Sequence, residues 1–192
     1  SQTNNELIAV KKPVFPFNKF PSQNVFLSPE MKSTGEVIGF DKHLGSAYAK
    51  AESAAGHSLP LDGTVFISVN DSDKISAIPV ARDFKELGFT ILATEGTAQL
   101  LSENGVPANP VFKVGEGRPN VVDAVKNGEI QLVINTPLGA QSRFDEYEIG
   151  RSSIRYKVPA ITTISGAQAA VRGIRNMKSN SIQYQSLQEV FS

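Results

Sequence analysis

From Thr64 onward, short apolar runs of strand length alternate with longer stretches whose apolar residues recur at helical spacing. Residues 64–69 read as a strand, and 76–87 as a helix that tolerates Pro79 in its first turn and stops at Gly88. A second strand is expected at 90–93 and a second helix at 97–104, ended by Gly105. A short third strand falls at 111–114, followed by a helix at 120–127 that Gly128 closes. Residues 132–135 form the fourth strand, 143–156 a helix, 160–164 the fifth strand and 167–177 a helix; Ser186-Leu-Gln-Glu189 has capping-box form before a terminal turn. Five strands alternating with helices predict an α/β fold with a mostly parallel, three-layer sheet. Ligands of such sheets sit at the carboxyl ends of the strands.

The first third of the chain has another texture. Prolines and polar breaks in Lys12-Pro-Val-Phe-Pro-Phe-Asn-Lys-Phe-Pro21 suit extended segments and loops, and 44–55 is Ala-rich and helical in propensity. Pro60 and the Asp62-Gly63 pair mark 57–63 as a linker. The chain therefore divides into residues 1–60 and 61–192.

Composition narrows the function classes. The 192 residues suffice for one α/β core with an appendage. With 19 basic and 19 acidic residues and no Lys/Arg run, no field recruits nucleic acid or an anionic membrane. Cysteine is absent, which removes thiol catalysis and Cys-ligated zinc and suits a reducing, cytoplasmic setting. No apolar run is long enough for a membrane span, and no signal-peptide pattern opens the chain.

Chemistry concentrates at the strand exits. In Ile91-Leu-Ala-Thr-Glu-Gly-Thr-Ala98 an apolar strand runs straight into a helix, so two hydroxyls and free backbone N–H groups meet where the helix dipole begins. Gly96 allows a close backbone approach to a ligand. The other exits carry Asn70-Asp-Ser-Asp-Lys74, Lys113 with Gly115-Glu-Gly-Arg-Pro119, and Asn135-Thr136. Together, Lys74, Thr94, Gly96, Thr97, Lys113, Arg118, Asn135 and Thr136 supply point charge, a guanidinium, hydroxyls and an amide: the set that suits a phosphate attached to a sugar. Asp71, Asp73, Glu95 and Glu116 are expected at the surface, because carboxylates facing an anion site oppose binding. Catalytic equipment is thin: the two histidines, His43 and His57, precede the α/β region, and no Walker, Gly-x-Gly-x-x-Gly or Gly-x-Ser-x-Gly sequence occurs.

Thr94-Glu-Gly-Thr97, Val114-Gly-Glu-Gly-Arg-Pro119, Lys126-Asn-Gly-Glu129 and Leu132-Val-Ile-Asn-Thr136 resemble the methylglyoxal-synthase-like regulatory domain that ends the carbamoyl phosphate synthetase large subunit. Phe15-Pro-Phe-Asn-Lys-Phe-Pro21 and Pro29-Glu-Met-Lys-Ser-Thr-Gly-Glu-Val-Ile-Gly39 are similar to the end of that subunit's second ATP-grasp unit. The resemblance implies a C-terminal fragment: residues 1–60 as a remnant of the ATP-grasp unit, and 61–192 as an allosteric domain. With the bulk of their domain missing, residues 1–60 are expected to lack a core of their own and to be mobile or docked on a neighbour. The parent enzyme makes carbamoyl phosphate for arginine and pyrimidine synthesis from bicarbonate, two ATP and ammonia drawn from glutamine by a small glutaminase subunit. ATP and Mg or Mn belong to that parent, and this fragment is implied to hold no cofactor and to catalyse nothing. The rest of the large subunit and the small subunit are the implied partners, with possible oligomerisation through this domain.

By the same resemblance the effectors are UMP and IMP, with Lys74, Thr94, Thr97 and Lys113 at the phosphate and Asn135 at the ribose. Pro137 stands where a threonine near the ribose is expected. A second effector, ornithine, is implied to use Thr162 and a tyrosine, in whose place this chain has Ala160. Relatives tuned to N-acetylglutamate carry an aromatic residue where Lys113 stands. Two alternatives remain: a phosphate-eliminating lyase of the methylglyoxal synthase type, and a structural domain that only mediates subunit contacts. The lyase needs a carboxylate base and a histidine at the site, but Arg118 occupies the aligned position of the base and no histidine follows His57.

Overall fold

A computed structural model of the chain describes residues 7–14, 35–136 and 143–179. The segments 15–21 and 29–34, Pro137 and the capping-box turn at 186–189 lie outside the described residues.

The elements run β1 (Ile8–Val14), β2 (Gly35–Asp41), α1 (Leu44–Ala54), β3 (Thr64–Ser68), a 3-10 turn (Asp71–Asp73), α2 (Lys74–Glu86), β4 (Thr90–Thr94), α3 (Glu95–Glu103), β5 (Asn109–Val111), α4 (Val121–Lys126), β6 (Leu132–Asn135), α5 (Arg143–Arg155), β7 (Ala160–Ile161) and α6 (Ile164–Ser179). Strands β3 to β7 form one parallel sheet in the order β5-β4-β3-β6-β7. The winding direction reverses between β3 and β6, which places a crevice between their carboxyl ends.

The pleat sorts the core into two layers. Val65, Ile67, Ile91, Leu132 and Ile134 face α2, α3 and α6, where Val80, Phe84, Leu101 and Ile174 meet them. Phe66 and Val133 point to the opposite face, against Val121 and Val125 of α4 and Ile149 of α5. Gly88, Gly105 and Gly128 stop three helices with φ of 91°, 75° and 74°. After each, the next N–H folds back on the helix, as in Phe89 N–H to Phe84 O at 3.0 Å.

Several boundaries differ from the expected ones. Helix α2 begins at Lys74 because Asn70 caps the 3-10 turn that feeds it, so Pro79 lies beyond the first turn. Helix α3 begins at Glu95, which makes Thr94 its N-cap and puts Thr97 inside the first turn. Strand β5 is displaced toward the N-terminus, because its register with β4 pairs Asn109 with Leu92 and Val111 with Thr94. Lys113 consequently lies past the strand end, in the rim. The fifth strand is short, and α6 starts at Ile164.

The segment before the linker is docked on the α/β unit. Strands β1 and β2 pair antiparallel, and β2 and α1 pack closely: a Cβ on Gly39 would collide with the α1 backbone at Ala47 and Ala51. Helix α1 crosses α6 at Gly45 and Gly173, and Ala49 and Leu59 belong to the same core layer as the sheet. The Asp41 carboxylate secures the start of α1 by accepting from His43 N–H at 3.0 Å and pairing with Lys50 at 2.9 Å.

Candidate anion-binding site

Four strand exits contribute to one rim. At the end of β4, Thr94 has extended backbone angles (φ −61°, ψ 150°) and its side chain makes no capping bond to α3. Its hydroxyl instead lies 3.4 Å from that of Thr97, and both side chains are buried. The first-turn N–H groups of α3 therefore have no side-chain cap, and the positive end of the helix dipole is open at Gly96.

A second positive charge stands over that end. The Lys74 ammonium lies 4.0 Å from where a Cβ on Gly96 would be, so it hangs above the α3 N-terminus from the first turn of α2. A cation beside a helix N-terminus is unfavourable without a counter-ion. Asp71 supplies one within the chain, its carboxylate 2.7 Å from Lys74 while its side chain is 93% exposed. Through that hydrogen bond and its charge, Lys74 holds the Asp71 carboxyl below the usual carboxylate range, and the Lys113 charge acts in the same direction. Lys113 thus shares the field of the same rim. It is half-buried and lies 3.8 Å from Glu116, whose carboxylate also accepts from Lys113 N–H at 3.2 Å. Asp71 and Glu116 lie at the surface as expected, yet each is matched to a lysine of the rim.

The remaining expected residues are placed differently. Arg118 is 82% exposed and pairs with Asp123 at 3.6 Å, in the capping box that starts α4. Asn135 ends β6 opposite Ser68 of β3, half-buried at the crevice. Thr136 is buried, and its hydroxyl accepts from Asn70 N–H at 3.0 Å and Asn70 Nδ2 at 3.3 Å. Thr162 follows β7, the edge strand of the sheet on the side away from β4 and β5, and lines a cavity of about 260 Å³ with Lys12, Tyr48, Glu52, Thr163 and Gly166. There Lys12 and Glu52 form an ion pair at 2.5 Å with the carboxylate almost fully buried. Burial first, and then the Glu52 carboxylate, push the Tyr48 phenol up.

Two features of the site escaped the sequence reading. Asn70 organises the β3 exit, and Asp71 is a resident counter-ion for Lys74. The Asn-x-x-Asp spacing of 70–73 is a turn signal that marks the first of these, whereas nothing in sequence distinguishes Asp71 from a solvated loop charge. Among the described residues no group of three or more His, Asp or Glu side chains is placed to hold a metal ion, and no helix is long and apolar enough to cross a membrane.

The fold and the match of residues 76–162 to the MGS-like domain model define the class: the chain carries an MGS-like domain. It is a relative of the carbamoyl phosphate synthase large chain. It is 52% identical to the carbamoyl phosphate synthase large chain of Nostoc sp. over 95% of its own length and 16% of that protein. It is 49% identical to the C-terminal section of the carbamoyl phosphate synthase large chain of Methanopyrus kandleri over 96% of its length and 34% of that protein. The chain thus spans about one sixth of the Nostoc relative and a third of the Methanopyrus one. Among solved structures, methylglyoxal synthase from Elizabethkingia anophelis aligns at 21% identity with a TM-score of 0.48, covering 59% of this chain and 79% of that one.

Proposed function

We propose that the rim is the effector site of a glutamine-dependent carbamoyl phosphate synthase and that it receives a nucleoside monophosphate, UMP or IMP. The phosphate sits over the α3 N-terminus at Gly96, with Lys74 and Lys113 supplying charge, Thr94 and Thr97 supplying hydroxyls, and Asn135 reaching the ribose. Arg118 joins only by leaving Asp123. One observation carries the assignment: a lysine ammonium and an uncapped helix N-terminus converge, a pairing that an anion relieves. Coulomb attraction between an ammonium and a dianion about 4 Å away, in a partly screened cleft, is several kcal/mol before desolvation. Two lysines converging on one point therefore favour a phosphate, which concentrates its charge on a single group, over a dicarboxylate such as N-acetylglutamate, whose two charges sit on separate carboxylates.

On this reading the chain is the regulatory end of a cytoplasmic ligase. It catalyses nothing itself and acts on the ATP-dependent synthesis of carbamoyl phosphate in the rest of the large subunit, fed by the glutaminase subunit. Ornithine control through the Thr162 cavity is weak, because the Glu52 carboxylate that a diamine would seek is already bound to Lys12.

Calorimetric titration with UMP, IMP, N-acetylglutamate and ornithine tests the assignment. A nucleoside monophosphate is expected to bind at micromolar to millimolar strength, at least about tenfold tighter than N-acetylglutamate. Lys113→Ala and Thr97→Ala should each weaken it by about ten- to a hundredfold, the worth of a charge-assisted hydrogen bond. N-acetylglutamate binding as tightly as UMP, or unchanged affinity in both variants, would overturn the assignment.

A further inference from the structure

Thr136 was expected among the ligand-binding side chains, but its environment points to another task. The residue is 1% exposed, its N–H donates to Ser68 O at 3.0 Å, and its hydroxyl accepts from both the backbone and the side chain of Asn70. Those bonds cross the crevice where the winding of the sheet reverses, joining the exit of β6 to the exit of β3. Asn70 is in turn the organiser of the segment that delivers Lys74. Its Oδ1 accepts from Asp73 N–H at 2.9 Å and from the Ser72 hydroxyl at 2.6 Å, and its Nδ2 donates to Asp73 Oδ2 at 2.7 Å. These contacts shape the 3-10 turn that runs without a break into the first residue of α2, which is Lys74.

The chain of contacts has a consequence for the charge above α3. The Lys74 ammonium rides on a flexible stem of limited reach, so the position of its Cα decides whether the charge can lie over Gly96. The Cα position is set by where the 3-10 turn begins, and that is set by Asn70 against Thr136. The hydroxyl also ties this arm to Asn135, one residue back along β6 and the group assigned to the ribose.

We propose that Thr136 is a positioning residue for the anion site: by holding Asn70, its buried hydroxyl places Lys74 over the N-terminus of α3 and links the phosphate side of the site to the ribose side. The proposal rests on the receptor assignment above. Valine at this position preserves shape and removes the acceptor, leaving Asn70 N–H without its partner, while serine restores the acceptor at the cost of a methyl group.

The test is a double-mutant cycle on the whole chain, with inorganic phosphate and UMP as probes and titration calorimetry as readout. Thr136→Val should weaken both probes by roughly three- to tenfold, the worth of one hydrogen bond, and Thr136→Ser should bind like the unaltered chain. In a Lys74→Ala background, Thr136→Val should cost inorganic phosphate nothing further, because the lysine it positions is gone. Additive losses of phosphate affinity in the double variant, or full affinity in Thr136→Val while Lys74→Ala binds weakly, would overturn the positioning role and leave the receptor standing. If Lys74→Ala itself binds both probes normally, the receptor assignment fails and the positioning role with it. Should Thr136→Val not fold, Asn70→Ala on the half-exposed side of the same contact takes its place in the cycle, with the same expected loss and the same dependence on Lys74.

Discussion

Replacing Gly45 by alanine should loosen the junction between the segment before the linker and the α/β unit. A Cβ at this position would lie 2.6 Å from Arg172 C and Gly173 N and 2.7 Å from Arg172 Cβ, against an optimal separation of about 3.5–4.0 Å between carbons. Two of these atoms are backbone, so no flexible side chain can yield, and α1 and α6 must part by about 1 Å. Helix α6 is not free to follow, because Ala170, Val171 and Ile174 are packed into the sheet. Overpacking of this kind costs about 1–3 kcal/mol. Alanine recovers roughly 0.5–1 kcal/mol of helix propensity, so the net loss centres near about 1 kcal/mol and reaches at most about 2.5 kcal/mol. The control is Gly150→Ala, within α5, where an added Cβ meets no heavy atom within 4 Å and only the propensity gain of roughly 0.5–1 kcal/mol remains. Urea unfolding should show the midpoint moving down for Gly45→Ala and up for Gly150→Ala, with unchanged slopes. Equal midpoints for the two variants would refute the close helix crossing, and with it the docking of α1 on α6.

Asp71→Asn should tighten phosphate binding, since the incoming anion no longer has to displace a carboxylate 2.7 Å from Lys74, and the gain should shrink as salt is raised; calorimetry showing equal or weaker affinity would remove Asp71 as resident counter-ion. His57 should make stability depend on pH. Burial first, and then the Lys12 charge, lower its pKa from 6.5, against a smaller opposing pull from Glu52, so the unfolded chain binds the proton more readily. Its stabilising contribution is present above pH 6.5 and is lost as the pH falls from there through the lowered value. Urea midpoints measured across that window should fall with pH, and His57→Gln should flatten the slope; an identical slope in both proteins would assign the effect elsewhere.

Much of the fold was legible along the chain because its causes are local. Strand and helix identity from Thr64 onward followed from the spacing of apolar residues, and three helix ends followed from Gly88, Gly105 and Gly128, which adopt the left-handed backbone that stops a helix. The strand-exit residues were legible for the same reason: once strands and helices are placed, topology dictates that their junctions share a rim.

Sequence by itself thus determined the α/β alternation, the helix stops and the set of charged and polar groups at the strand exits. Tertiary structure decided which of those groups meet. Register with β4 drew β5 back and put Lys113 in the rim; pairing across 66 residues turned the Thr136 hydroxyl to Asn70; and pairing across 40 residues gave Glu52 to Lys12. Propensity acts between near neighbours in the chain, whereas a hydrogen bond or an ion pair is set by distance in space, and only the packed sheet brings those partners within reach.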